Sequence, residues 1–358
     1  MGKIIKNSLI SILILIPLLT STRTNIIDEL QLITVAGFDQ VEDNKVRGTV
    51  TLTAYSYEEE LNNTALSAIS TSTRQLRLRL NSMSSRPIHG GKISSIVIQD
   101  HLAEDGIFDL LDTYYRDPTI ALRAFLSVTR GSTYEMLNKE FPLQTEIGTY
   151  LKDMLDHNME RGNLPKSNMH LFMRAYFEKG HDPFMPILSY TNNVLQVDGT
   201  ALFKDDRFVH ALDIEEAFFL KLIKDGYQTG GVIELKVDNE SEVAVLREMR
   251  SSSELSVDRE SESLHIAIEL KTRLSEYSGH TLNEAKLKEI TQESDRVIEE
   301  GIRSLINVMQ EKQIDPIGFG AREINRSELN EAEWYDLYGK LNVKVNVKTS
   351  IVESGVSQ

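Results

Sequence analysis

The sequence predicts an α+β protein, and three observations carry that reading. Several segments alternate apolar and polar residues with period two, most clearly at Leu264, Ile266, Ile268 and Leu270. Others repeat apolar residues at helical spacing, and the longest of these, from Thr281 to Gln313, would be about 45 Å long as a helix. The two kinds are interspersed along 358 residues with no internal repeat. That length suits two or three domains, and 41% hydrophobic with 26% charged residues is the composition of a chain with a real core.

The elements follow in order. "LQLITVAGFDQ" and "VRGTVTLTAYSY" are rich in β-branched residues around a polar, turn-like tract, and predict a hairpin. "NNTALSAISTSTRQLRLRLNSM" has helical spacing through Leu66, Ile69, Leu76 and Leu80 and predicts a helix. "GKISSIVIQD" predicts a short buried strand, "LAEDGIFDLLDTYYRD" a helix, and "ALRAFLSVTRG" a strand. Ser132 with Glu135 three residues on forms a capping-box pattern that opens the next helix. Two amphipathic helices follow, ending at Gly162 and Gly180. "HDPFMPIL" holds two prolines and reads as a linker or an edge strand.

Beyond residue 191 the sequence predicts two strands across the turn "KDD" and a helix, "IEEAFFLKLIKDG", closed by Gly226. Strands follow in "GGVIELKV", "EVAVLREM" and "LHIAIELKTRL". The long helix carries an apolar stripe of Leu287, Ile290, Ile298, Ile302, Leu305, Ile306 and Met309. The last strand, "KLNVKVNVKTSIV", sets lysine and asparagine against valine, so one of its faces is expected to be wet.

The first residues predict export. Lys3 and Lys6 precede an 11-residue run, Leu9 to Leu19, broken only by Ser11 and Pro17. Roughly 16 Å of helix is too short for a bilayer core of about 30 Å. The run reads as a signal-peptide core, able to act as a weak tether if it stays uncleaved. No small-x-small cleavage site follows it cleanly.

Composition excludes several chemistries. A net charge of −15 repels phosphate and argues against nucleic acid as a partner. With no cysteine there can be no disulfide, thiolate metal site or cysteine nucleophile. The eight histidines, at 89, 101, 157, 170, 181, 210, 265 and 280, include no i, i+4 metal pair and no H-E-x-x-H. "HGGK" lacks the frame of a phosphate-binding loop and reads as a tight turn, "GFG" at 318–320 reads as a chain reversal, and no G-x-S-x-G elbow occurs. The acid pairs Asp205–Asp206 and Glu215–Glu216 read as a turn and a helix start. No catalytic, cofactor-binding or metal-ligating residue is assigned.

The arrangement of motifs resembles the Ger(x)C (GerAC-like) family, the C subunits of spore nutrient germinant receptors. Residues 86–137, "RPIHGGKISSIVIQDHLAEDGIFDLLDTYYRDPTIALRAFLSVTRGSTYEML", are similar to its N-terminal region. Residues 199–226, "GTALFKDDRFVHALDIEEAFFLKLIKDG", resemble the start of its C-terminal region. "QEKQIDPIGFG" at 310–320 and "WYDLYGKLNVKVNVKTSIVESG" at 334–355 resemble the end of its long helix and its final turn and strand. The family's lipid-bearing cysteine is the departure: Ser21 and Thr22 stand at about that place and cannot take the lipid.

The resemblance implies several small sheets, mixed or antiparallel, packed with helices in a multi-domain chain. It implies a non-enzymatic, cofactor-free receptor component on the outer face of the spore inner membrane, acting with membrane A and B subunits. The corresponding division is a signal or anchor segment at 1–22, an N-terminal region at 23–190 with an internal split near 143, and a C-terminal region at 191–358. A second reading is a secreted solute-binding protein that holds a small ligand between its two halves.

Overall fold

The computed structural model of the chain describes residues 29–42, 45–53, 64–139, 145–191, 194–237, 241–327 and 329–354. The leader, with Ser21 and Thr22, lies outside the described residues. The expected α+β class holds, and the sheets are two mixed ones, of nine and four strands.

The first sheet opens with the expected hairpin. Strands β1 (Gln31–Glu42) and β2 (Lys45–Leu52) pair antiparallel, with Ala36 opposite Val50 and Phe38 opposite Gly48. The next segment corrects the sequence reading. Leu66 and Ile69 lie in strand β3 (Thr64–Ser70), which pairs antiparallel with β2, and helix α1 (Thr73–Met83) starts only after Ser72 accepts the Gln75 N–H. Leu76 and Leu80 alone form the buried helical face. Three-residue spacing of Leu66 and Ile69 is compatible with a helix, but the free edge of β2 offers this Thr-, Ser- and Ile-rich stretch a full ladder of hydrogen bonds.

Strand β4 (Ile88–His89) touches β1, and β5 (Ser95–Gln99) runs parallel to it. The single helix expected over residues 102–117 is two, α2 (Asp100–Asp105) and α3 (Phe108–Tyr115). Gly106 breaks them at φ 109°, and Asp206, arriving from a distant turn, takes the Ile107 N–H on its carbonyl and the Phe108 N–H on its carboxylate. Strand β6 (Phe125–Arg130) is followed by α4 (Thr133–Asn138), α5 (Ile147–Glu160) and α6 (Met169–Phe177). Half of the expected capping box forms, with Ser132 accepting the Glu135 amide, and the buried carboxylate of Asp39 adds a second cap by accepting from the Thr133 and Tyr134 amides.

"HDPFMPIL" forms neither a linker nor an edge. It enters β7 (Phe184–Thr191), which is flanked by β6 on one side and β8 (Val194–Lys204) on the other. Pro186 is tolerated because the β6 ladder begins only at Ile187. With β9 (Arg207–Leu212) the order is β3-β2-β1-β5-β6-β7-β8-β9, β4 lying beside β1. The division drawn at residue 191 therefore falls between adjacent strands of one sheet.

Helix α7 (Ile214–Lys224) starts with a complete capping box from Asp213 and Glu216. The second sheet is β10 (Val232–Val237), β11 (Glu242–Asp258), β12 (Ser263–Tyr277) and β13 (Asn342–Ser354), in that order. Between β12 and its parallel neighbour β13 the chain crosses over through α8 (Glu284–Glu311), α9 (Phe319–Arg326) and α10 (Glu331–Tyr338). The stripe on α8 buries Ile290, Ile298, Ile302, Leu305, Ile306 and Met309 in the same core as Leu264, Ile266, Ile268 and Leu270 of β12. The outer face of β13 exposes Lys344, Asn346 and Lys348, as expected. Its free edge is covered: Glu299 and Asp295 of α8 accept the Val347 and Thr349 amides, which removes a template for strand addition.

Helix α7 is the element common to both sheets. Phe184, Leu202 and Leu212 of the first sheet share one core with Leu235, Leu246 and Leu270 of the second, across Phe218 and Leu222.

Candidate functional site

The segments that join the two sheets also carry the least ordinary chemistry of the chain. Two Asp-Pro steps meet there. The Asp182 amide donates to the Asp315 carbonyl at 3.1 Å, and the Asp315 amide returns a bond to the Asp182 carboxylate at 2.7 Å. Asp182 also accepts from the Tyr335 phenol and the Asp205 amide. Lys204 sits 3.5 Å from it and 3.3 Å above the Tyr335 ring. Burial raises the Asp182 pKa, while Lys204 and the hydrogen bonds oppose that shift. The Asp315 carboxylate organises the "DPIGFG" turn by taking the Gly318 and Gly320 amides at 2.8 and 2.7 Å, yet burial still pushes it up to about 6.

The turn works as a plug because two glycines let backbones touch. The Ala321 amide donates to the Gly180 carbonyl, and the Gly180 amide donates to Glu331 of α10. A Cβ on Gly320 would lie 2.3 Å from Trp334 Nε1 and 2.7 Å from the Gly180 carbonyl oxygen. Trp334, fully buried, closes the far side by stacking on Tyr338. The "GFG" segment thus redirects the chain, as read from the sequence, and Gly318 at φ 82° opens α9.

A polar relay flanks the plug. Lys224, at the end of α7, donates to the Pro316 carbonyl at 2.7 Å and to His181 Nε2 at 2.9 Å, and His181 Nδ1 donates to Glu178 at 2.8 Å. Burial, reinforced by the Lys224 charge, holds His181 down at about 4, and burial lowers Lys224 to about 8. One turn earlier, Lys221 reaches the carbonyls of Met159 and Gly162 at the end of α5 at 2.6 and 2.7 Å.

Between α6 and α9 this junction opens into a cleft of ≈ 290 Å³. Lys166, Arg174, Glu178, Lys224, Asp225 and Arg322 line it. It presents charge rather than a nucleophile with a base: Ser167 spends its hydroxyl on the Phe184 carbonyl, and both His181 nitrogens are engaged. A second cavity of ≈ 260 Å³ lies under α1, apolar apart from a rim that includes the Arg77–Asp117 pair.

Of the residues weighed in the sequence, His181 alone of the histidines lines this cleft. Asp206 is the remote cap of α3, and Asp213, Glu215 and Glu216 belong to the α7 start. Tyr114 packs edge-on to Phe38, and Tyr115 lies against Phe177. Among the described residues no group of three His, Asp or Glu side chains is placed to hold a metal, and no helix is long and apolar enough to cross a membrane. Asp182, Asp315, Tyr335 and Lys224 were not singled out in the sequence. Asp182 and Asp315 share an Asp-Pro step, which also occurs at 117–118 outside the junction, and no sequence signal links Lys224 or Tyr335 to them.

Comparison with known proteins agrees with this architecture. Residues 23–190 match the family "Spore germination protein N-terminal domain", and residues 198–355 match "Spore germination B3/GerAC like, C-terminal". The chain is similar to "Spore germination protein GerQC" of Bacillus cereus, 26% identical over 95% of this chain and 96% of that protein. It is also similar to "Putative spore germination protein YfkR" of Bacillus subtilis (strain 168), 24% identical over 81% of this chain and 78% of that one. The crystal structure of the GerBC protein shares the fold with a TM-score of 0.54 at 13% identity, covering 88% of this chain and 96% of the other. With both regions matched end to end, the chain belongs to the GerAC-like family of spore germination proteins.

Proposed function

We propose that this chain is the exported C subunit of a spore nutrient germinant receptor. It acts without catalysis, docking to membrane A and B subunits at the outer face of the spore inner membrane, and nutrient-triggered germination requires it. The observation that carries the reading is the presence of both family regions, in order and nearly without gap, in one chain.

The junction supports a scaffold role. A shared sheet, a shared core and the plug at Asp315–Gly320 make the two regions one mechanical body, suited to passing a docking event from one end to the other. With Ser21 and Thr22 in place of a lipid-bearing cysteine, the hold on the membrane falls to the hydrophobic run at 9–19 or to the partner subunits.

The test is an in-frame deletion in the spore-forming host with neighbouring receptor genes intact. Spores of the deletion strain should fail to lose refractility in at least one nutrient mixture, and a plasmid copy should restore the response. Normal germination in every mixture contradicts the proposal. The solute-binding alternative keeps one specific observation in its favour, the charged cleft between α6 and α9.

A further inference from the structure

We propose that the cleft between α6 and α9 is a binding site for a small anion bearing a carboxylate or phosphate group, whose occupancy ties the two sequence regions together. The inference stands on the cleft alone, so its failure leaves the receptor reading intact.

Charge is the first argument. Four cations, Lys166, Arg174, Lys224 and Arg322, face two carboxylates, Glu178 and Asp225, around this one opening. The chain as a whole has 39 basic and 54 acidic residues. A local surplus of positive charge therefore runs against the composition, and concave walls focus its field.

The carboxylates are already committed. Glu178 holds His181 at 2.8 Å and lies 3.7 Å from Arg174 Nε. Asp225 accepts the Lys166 backbone amide at 2.6 Å. Lys224 directs its donors to two neutral carbonyls and the neutral imidazole of His181, so its half-buried charge has no carboxylate in contact. Asp315 and Asp225 attract it only from a distance, and burial outweighs them, so an anion entering the cleft offsets part of the cost of holding the charge there.

The walls supply geometry. Arg174 projects from α6 and Arg322 from α9, with Asn325 one turn beyond Arg322. Guanidinium groups on opposite walls match the two-oxygen face of carboxylate and phosphate, which a lysine cannot do. The volume equals about ten water molecules' share of the liquid, which suits a small organic anion. Because α6 belongs to the N-terminal region and α9 to the C-terminal one, a ligand gripped by both would stiffen the junction.

The test uses the full purified chain. Thermal unfolding is followed while inorganic phosphate or succinate is titrated against sodium chloride at matched ionic strength, and flotation with phosphatidylglycerol vesicles is run in parallel. A saturable rise in Tm with phosphate or succinate, with an apparent Kd at least tenfold weaker in Arg322→Gln, supports the proposal with a soluble ligand. Vesicle binding that phosphate displaces and Arg322→Gln abolishes supports it with a lipid headgroup as the source. Lys271→Gln, on the outer face of β12, serves as the control and should leave both readouts unchanged. A Tm that follows ionic strength alone, with no vesicle binding, overturns the proposal. So does a response that Arg322→Gln and Arg174→Gln leave intact. Both arginines are exposed at the cleft, so these variants are expected to fold even where a Lys224 substitution would not.

Discussion

Tyr335 donates its phenol to the buried carboxylate of Asp182, 153 residues away in the chain. This bond fastens the last helix before β13 to the strand entry at β7, and Lys204 covers it from above the ring. Tyr335→Phe keeps the ring and the cation above it but leaves Asp182 short of a donor. Loss of a hydrogen bond to a charged group costs about 1.5–3 kcal/mol. Urea unfolding should show that loss in both sheets at once, since they share a core. A change under about 0.5 kcal/mol would mean the bond contributes nothing.

Gly320→Ala tests the plug. The new methyl would meet Trp334 Nε1 at 2.3 Å and the Gly180 carbonyl at 2.7 Å, and the latter is backbone that cannot swing aside. A destabilisation of roughly 1–3 kcal/mol is expected. Gly131→Ala is a poor control despite open space around it, because Gly131 has φ 96°. Ala substitution at exposed Lys271 is the appropriate reference, and equal melting temperatures for the two variants would contradict the close approach.

The stripe on α8 makes a prediction about the second sheet. Ile302 is 0% and Leu305 4% exposed, both in the core that contains β12. Either residue changed to Ala should cost roughly 2–5 kcal/mol by denaturant unfolding. A value below half a kcal/mol would place the stripe on the wrong side of the helix.

Acid should loosen the junction through His181. Its folded pKa, about 4, lies below the ordinary 6.5, so between those values the unfolded chain binds a proton that the folded chain refuses. The stability that comes from holding it neutral is complete above pH 6.5 and is lost as pH falls towards 4, up to roughly 3 kcal/mol. Asp315, raised to about 6, acts in the opposite sense: its contribution is present below its ordinary value of 3.8 and is lost as pH rises through 6. His181→Gln removes the first effect and keeps the second. Stability at pH 4.5 relative to pH 7 should therefore be higher in the variant than in the parent chain. Parallel pH profiles would rule out a neutral, buried His181.

Much of this was legible in the sequence where a local pattern decides the outcome. The α8 stripe, the alternation of β12, the wet face of β13 and the acidic start of α7 at Glu215 and Glu216 are each written in a local run of residues. The failures occur where a remote partner decides. Leu66 and Ile69 became strand because β2 had an edge to offer. The break at Gly106 is set by Asp206, about a hundred residues away. The second half of β11, Ser251–Asp258, carries few apolar residues and extends because β12 pairs with it throughout. "HDPFMPIL" looked like an edge because of its prolines, yet β6 and β8 both found room beside it. The junction is the extreme case, since Asp182, Asp315 and Tyr335 have no spacing that relates them.

The most direct test of the receptor assignment is what this chain is bound to in dormant spores. A tagged, functional copy should be recovered from the inner-membrane fraction together with A and B subunits of one germinant receptor, in a detergent-stable complex. Recovery in the soluble fraction, or from the membrane with neither subunit attached, would contradict the account.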